Sequence, residues 1–224
     1  MKRKLFIFGA KNLAEMTHYL FTTDSAYEVA GFTVDGQFLK ESTFQGLPVV
    51  AYEELRASAD RESVDIFVAI GIAKLNKLRA RKMAAVQADG FRLASFVSSH
   101  ARVPKDLRAR PNTMIMEQVW IGPNTDIGAG VVIWSGTRIA LKVRIGNHVW
   151  ITSAAVGEST TIGDNTFVGL NATISPFIHV GADNLIGAAA LIMRDTRDNE
   201  IYKAERTRPS KVPASRIENL GLIS

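Results

Sequence analysis

Side chains suited to acid–base or nucleophilic chemistry are sparse in this 224-residue chain. There is no cysteine, which removes a thiol nucleophile, thiolate metal sites and disulfides. No metal site is expected. The four histidines are scattered, at His18, His100, His148 and His179. The segment "GAKN", Gly9 to Asn12, follows an apolar run and precedes a helical pattern. Backbone N–H groups at such a strand-to-helix turn can hold phosphate, helped by the positive helix end. Gly9, Lys11 and Asn12 are therefore candidate ligand contacts, and a plain connecting turn is the competing reading. Asp35, closing a second apolar run, is placed to accept a hydrogen bond from a base or ribose, and Gly71 closes a third.

These residues need elements to position them. Residues 1–100 alternate strand and helix, the pattern of a parallel, Rossmann-like α/β unit. Strands are expected over "KLFIFGA" (4–10), "YEVAGFTVD" (27–35), "VDIFVAIG" (64–71) and "RLASFV" (92–97). Helices are expected over "KNLAEMTHYLFTT", "AYEELRAS" (51–58) and "AKLNKLRARKMAAVQADG" (73–90), the last stopped by Gly90.

From about residue 101 the period changes to six. Aliphatic side chains recur at Val103, Ala109, Ile115, Ile121, Ile127, Ile133, Ile139, Ile145 and Ile151. After one slip the series resumes at Val156, Ile162, Val168, Ile174, Val180, Ile186 and Ile192. A helix cannot keep a six-residue register. A solenoid of three six-residue sides can, because each inward aliphatic then stacks on the one a full coil later. The spacing of five between Ile151 and Val156 marks one missing residue at a corner. A β-helix domain over 101–201 and a basic tail over 202–224 complete the expected layout.

Composition narrows the class of function. Hydrophobic residues make up 46% and charged residues 22%, which suits a packed core. The net charge of +5 suits a solvated surface or polyanionic ligands such as nucleotide phosphates. Nucleic acid is not expected, since the basic residues are dispersed apart from the cluster at Lys203–Lys211. The run "LFIF" is short for a signal peptide, no stretch approaches a membrane span, and a cytoplasmic location is expected.

The repeats, together with "FGAKNLAE" (8–15), "FTVD" (32–35), "VAIGIAKLNKLR" (68–79), "IWSG" (133–136), "FVGLNATI" (167–174) and "IGAAALIMRDT" (186–196), resemble the left-handed β-helix sugar acyltransferases. The likeness is to the group acetylating nucleotide-linked amino sugars or sialic acid in bacterial surface-glycan pathways. It implies a homotrimer with active sites between neighbouring solenoids, acetyl-CoA as co-substrate and a nucleotide-linked sugar held by the N-terminal unit. It also implies coenzyme contacts at Ser159, Phe177, Ala189, Lys203 and Arg206.

Against that family the chain departs where the chemistry belongs. Relatives carry a histidine general base on the coil that here reads "IWSGTRIALKV" (133–143), and Leu141 stands at the base position. Arg138 and Lys142 replace its polar neighbours, and Ser153-Ala154 replaces a serine–histidine pair. Lys142 suits a phosphate or sugar carboxylate, and Trp150, nine residues past Leu141, is expected on the facing wall of the pocket. The family's usual glycine is Lys11 here, which removes a residue able to take positive φ. Counting one coil from Leu141, with the missing residue before Val156, places Glu158 above it. A carboxylate there can serve as base, or it can be a solvated turn residue. His148 is the other candidate base, with a surface role as its alternative. Two functions follow: an acetyltransferase with an atypical site, or an inactive trimeric binding or assembly protein.

Overall fold

The computed structural model describes residues 3–211, 213 and 214, so most of the tail beyond Lys211 lies outside the described residues. Its N-terminal part is a six-stranded sheet. The strands are β1 (Lys4–Phe8), β2 (Glu28–Val34), β3 (Thr43–Phe44), β4 (Leu47–Ala51), β5 (Val64–Val68) and β6 (Arg92–Leu93). Their order is β3-β4-β2-β1-β5-β6, parallel except for the β3–β4 hairpin. Helices α1 (Asn12–Thr23), α2 (Tyr52–Ser58) and α3 (Lys77–Ala88) connect them.

Alternation along the strands sorts the helices onto two faces. Leu5 and Ile7 of β1 pack with Ala14, Leu20 and Phe21 of α1. Phe8 packs on the opposite face with Tyr52 and Leu55 of α2 and Met83 and Val86 of α3. The sheet is anchored at its lower edge by the fully buried Asp65. That carboxylate accepts from Arg3 Nε at 2.8 Å, Arg92 Nη2 at 2.7 Å and Tyr27 Oη at 2.6 Å. Burial pushes the Asp65 carboxyl up, but hydrogen bonds from Arg92, Tyr27 and Arg3 outweigh it and hold the group below its ordinary value.

The remainder is a three-sided parallel β-helix with two-residue strands. The first face comprises the strands at Phe96, Met114, Val132, Trp150, Phe167, Leu185 and Ile201; the second those at Trp120, Arg138, Ala155, Thr173 and Leu191; the third those at Asp126, Arg144, Thr161 and His179. The expected aliphatics point inward and form one continuous core, from Ile115 to Ile192. Glycine after the aliphatic is required where coils approach closely. A Cβ on Gly128 would lie 2.5 Å from the Gly146 carbonyl oxygen of the next coil.

The six-residue period also appears in the backbone. Left-handed residues fall at each corner: Gln118, Asn124, Gly130, Gly136, Lys142, His148, then Ser153, Ser159, Asn165, Asn171, Phe177, Asp183 and Ala189. The slip lies between Ile151 and Ser153, where the corner is one residue shorter. The rungs accordingly run Met114, Val132 and Trp150 at intervals of 18, then Phe167 after 17.

The structure corrects several expectations. Ala109 is exposed and not inward, because residues 104–111 form a loop in place of the first third-face strand; Leu107 packs on the core instead. The stretch 92–97 is two strands, and Phe96–Val97 already pairs with Met114–Ile115 of the solenoid. The final rung is also short, with Leu185 paired to Ile201 sixteen residues later, and Tyr202 belongs to it rather than to a tail. Helix α3 begins at Lys77 instead of residue 73, because Lys74, Leu75 and Asn76 all take left-handed backbone angles, φ 53°, 50° and 65°.

Candidate functional site

Two places gather the expected residues. The first is the crevice at the carboxyl ends of β1, β2 and β5, where ligands bind in open α/β sheets. Gly9 closes β1 with φ 130°, and its N–H donates to Thr33 O at 2.8 Å. A Cβ there would sit 2.9 Å from Ala69 O, so the turn needs glycine on both counts. Lys11 and Asn12 are exposed at the start of α1. The expected strain at Lys11 is absent: its backbone is extended, at φ −139°. Asp35 is held by Lys82 of α3, with Nζ 2.6 Å from Oδ1. Beside it Gly36 N–H donates to Glu53 Oε2 at 2.9 Å. Gly71 has nothing within 4 Å of where a side chain would begin, so the space above it is open.

The second place is the corner between the second and third solenoid faces. Leu141 and Lys142 lie there, with Lys142 at φ 59° and exposed. Ser159 N–H donates to Leu141 O at 3.0 Å, and Phe177 N–H donates to Glu158 O at 2.9 Å. These bonds stack Pro123, Leu141, Glu158 and Pro176 in one column, as the residue count implies. Glu158 is half-buried, and its carboxylate has no hydrogen-bond partner among the described residues. Phe177 takes φ 63°, rare for a bulky side chain, and leaves its ring 70% exposed. Arg138 is exposed on the adjoining second face. Ala154, in contrast, points into the solenoid and is buried.

Other expected residues lie elsewhere. Ala189 occupies the corner between the first and second faces, its N–H bonded to Leu170 O, so within one chain it does not share an edge with Ser159 and Phe177. Lys203 and Arg206 are exposed beyond the last rung. Trp150 does not face Leu141. It points outward from the first face, which the N-terminal unit covers, and packs 5.8 Å from Trp134 at 7% exposure. His148 sits on the third corner, against α3. Burial pushes its imidazole pKa down and the Arg79 charge adds to that, with Asp164 opposing. Its Nδ1 is buried without a partner.

Sequence reading missed a buried residue that helps join the two parts. Arg79 is fully buried. Its guanidinium donates to Ile70 O at 3.2 Å, Asn76 Oδ1 at 3.1 Å, Gly130 O at 3.1 Å and His148 O at 3.0 Å. Among the described residues no carboxylate pairs with it, and it lies 5.3 Å from the centre of the Trp150 ring. Burial pushes its pKa down to about 10, which leaves it charged at neutral pH. Asn76, also buried, donates to Asn165 O at 3.0 Å, and Lys77 pairs with Asp183 at 3.0 Å. The left-handed turn at 74–76 is thus clamped to the solenoid. The spacing of Arg79 with the buried Met83 and Val86 was the available signal.

Among the described residues no cluster of three or more His, Asp or Glu is placed to hold a metal ion. Nor is any helix there long and apolar enough to cross a membrane.

Residues 159–192 match the model of the hexapeptide repeat of succinyl-transferase. No curated protein sequence matches the chain. Among solved structures it is similar to the acetyltransferase domain of PglB from Neisseria gonorrhoeae in complex with acetyl coenzyme A. The identity is 22% and the TM-score 0.80, covering 90% of this chain and 96% of that one. It is similar also to PerB from Caulobacter crescentus in complex with CoA and GDP-perosamine, at 22% identity and TM-score 0.80, covering 90% and 97%. WeeI from Acinetobacter baumannii matches at 18% identity and TM-score 0.60, covering 88% and 94%. The chain therefore carries a match to the hexapeptide repeat over residues 159–192 and shares the fold of these solved structures.

Proposed function

We propose that the chain transfers an acetyl group from acetyl-CoA to an amine on a nucleotide-linked sugar, with Glu158 as the base. The observation that carries this reading is the column at that corner, where Glu158, its carboxylate without a partner among the described residues, stacks one coil above Leu141. Support for the substrates comes from the ligands of the similar structures, acetyl-CoA in one and CoA with GDP-perosamine in the other. In this reading the solenoid is left-handed and three chains assemble with the corner between neighbours. The Rossmann-like N-terminal unit holds the nucleotide near Gly9, Lys11, Asn12, Asp35 and Gly71. The coenzyme lies along Ser159 and Phe177, with Ala189, Lys203 and Arg206 completing its contacts.

The chemistry asked of the protein is modest. A neutral amine attacks the thioester carbonyl, and its proton is lost after the N–C bond forms, so a carboxylate suffices where a hydroxyl acceptor would need a stronger base. Collapse of the tetrahedral intermediate breaks the C–S bond, releasing CoA thiolate, and the amine proton passes to Glu158. Alignment of amine and thioester supplies several kcal/mol of the barrier reduction. Phe177 excludes water on one side, and Lys142 pairs with an anionic group of either substrate.

A second reading, an inactive trimeric binding or assembly protein, has its own observation: the corner holds no histidine among the described residues, and His148 faces α3 instead. The two readings separate in one experiment. Calorimetry with acetyl-CoA and an acetyl-transfer assay over several nucleotide-linked amino sugars give binding and turnover in the first case and binding without turnover in the second. No binding of acetyl-CoA would refute the first reading.

A further inference from the structure

The loop that replaces the missing third-face strand leaves a cavity of about 530 Å³ between residues 104–111 and 124–127. That size lies within the range of small-ligand sites. The loop around it is anchored, since Leu107 packs on the solenoid core, Ser95 Oγ donates to Arg110 O at 2.7 Å, and Gly130 N–H donates to Pro111 O at 2.8 Å. The lining is amphipathic. Pro104, Leu107 and Ile127 supply apolar surface, and Asn124 and Thr125 supply polar side chains. Of its two arginines, Arg110 is neutralised by Asp126 at 2.8 Å, whereas Arg108 has no partner among the described residues.

The cavity lies on the same edge of the solenoid as the candidate corner, one coil below it. Asn124 lies one coil below Lys142, whose N–H donates to Pro123 O at 3.0 Å. Thr125 Oγ1 donates to Ala140 O at 3.2 Å, one residue from Leu141. An occupant of the cavity thus lies below the two neighbouring columns that carry Leu141 with Glu158 and Lys142 with Ser159.

We propose that this cavity binds a small polyol bearing an anionic group, a sugar acid or a sugar phosphate, with Arg108 as the anion anchor. The guanidinium fork matches both carboxylate and phosphate oxygens. Ring hydroxyls pair with Asn124 and Asp106, and the apolar face of the ring rests on Pro104 and Leu107. This binding does not rest on the acetyl-transfer reading.

The test is titration of the full chain, by calorimetry or chemical-shift perturbation, with glucuronate, glucose 6-phosphate, glucose and inorganic phosphate, repeated on Arg108→Ala and Arg108→Glu. The proposal expects one or both anionic sugars to bind roughly tenfold or more tightly than glucose, a preference lost in both variants. The uronate and phosphate arms distinguish the two sources of the anion. Because Arg108 is exposed, both variants are expected to keep the melting temperature of the parent. Equal binding of glucose, no binding of either anionic sugar, or undiminished binding in Arg108→Glu would each overturn it. Inorganic phosphate binding as tightly as the sugars would overturn the polyol assignment. Acetyl transfer is not read in this experiment, so its failure and failure of the acetyl-transfer reading remain distinguishable.

Discussion

Replacing Arg79 with methionine keeps most of the buried volume but removes the charge and the guanidinium donors that bridge the two parts of the chain. Three backbone carbonyls, of Ile70, Gly130 and His148, then lose their guanidinium partner in a buried setting. At about 1 kcal/mol or more for each unsatisfied acceptor, the loss approaches 3 kcal/mol. Relief from burying an unpaired guanidinium offsets part of this, as replacement of buried charges by apolar groups often does. The three consecutive left-handed residues at 74–76 work the other way, since they lose the Arg79 bonds to Ile70 and Asn76 and keep only Asn76–Asn165 and Lys77–Asp183. The expected net loss is about 2–3 kcal/mol, which for a chain of this size lowers Tm by roughly 4–12 °C. Thermal unfolding followed by circular dichroism measures it, and hydrogen exchange should show faster opening at residues 70–76 than in the solenoid interior. A Tm equal to or above that of the parent, with unchanged exchange at 70–76, would refute the clamp.

Three further predictions bear on the frame and the crevice. Gly128→Ala forces a Cβ to 2.5 Å from the next coil's backbone, so its cost should reach at least about 1–3 kcal/mol in denaturant unfolding. Gly71→Ala meets nothing within 4 Å and should leave stability unchanged while weakening nucleotide binding measured by calorimetry. His148 has a folded pKa below its ordinary 6.5, so the unfolded chain binds the extra proton first. Stability should therefore fall as pH drops below about 6.5, and His148→Asn, suited to the left-handed corner, should flatten that part of the stability–pH curve.

The solenoid was legible because its physics is one-dimensional: each inward aliphatic meets only its counterpart a coil away, so spacing alone reports the fold. The one-residue slip after Ile151 was legible for the same reason, and with it the Leu141–Glu158 column. Ala109 misled because a small aliphatic keeps the period by type while the loop around it, bent between Pro104 and Pro111, does not. Trp150 was misplaced because counting along a coil fixes an angle about the solenoid axis and carries no information on which face the N-terminal unit covers. The turn at 74–76 reads as the start of a helix because nothing local forbids it. Its left-handed backbone is held by Asn165, Gly130 and His148, residues from 51 to 89 positions away in sequence for the bonds concerned. Counting fixed the corner that Leu141 and Glu158 share, but not the face of Trp150 or the edge of Ala189.

The central claim is that Glu158 replaces the base above Leu141. The measurement that tests it most directly compares steady-state acetyl transfer from acetyl-CoA to a nucleotide-linked amino sugar in the parent chain and in Glu158→Gln. The account predicts turnover by the parent and a kcat lower by roughly 100-fold or more in the variant, the scale of a lost general base, with acetyl-CoA affinity within a few-fold. Equal kcat in the two proteins, or no turnover by a parent that binds both substrates, would contradict it.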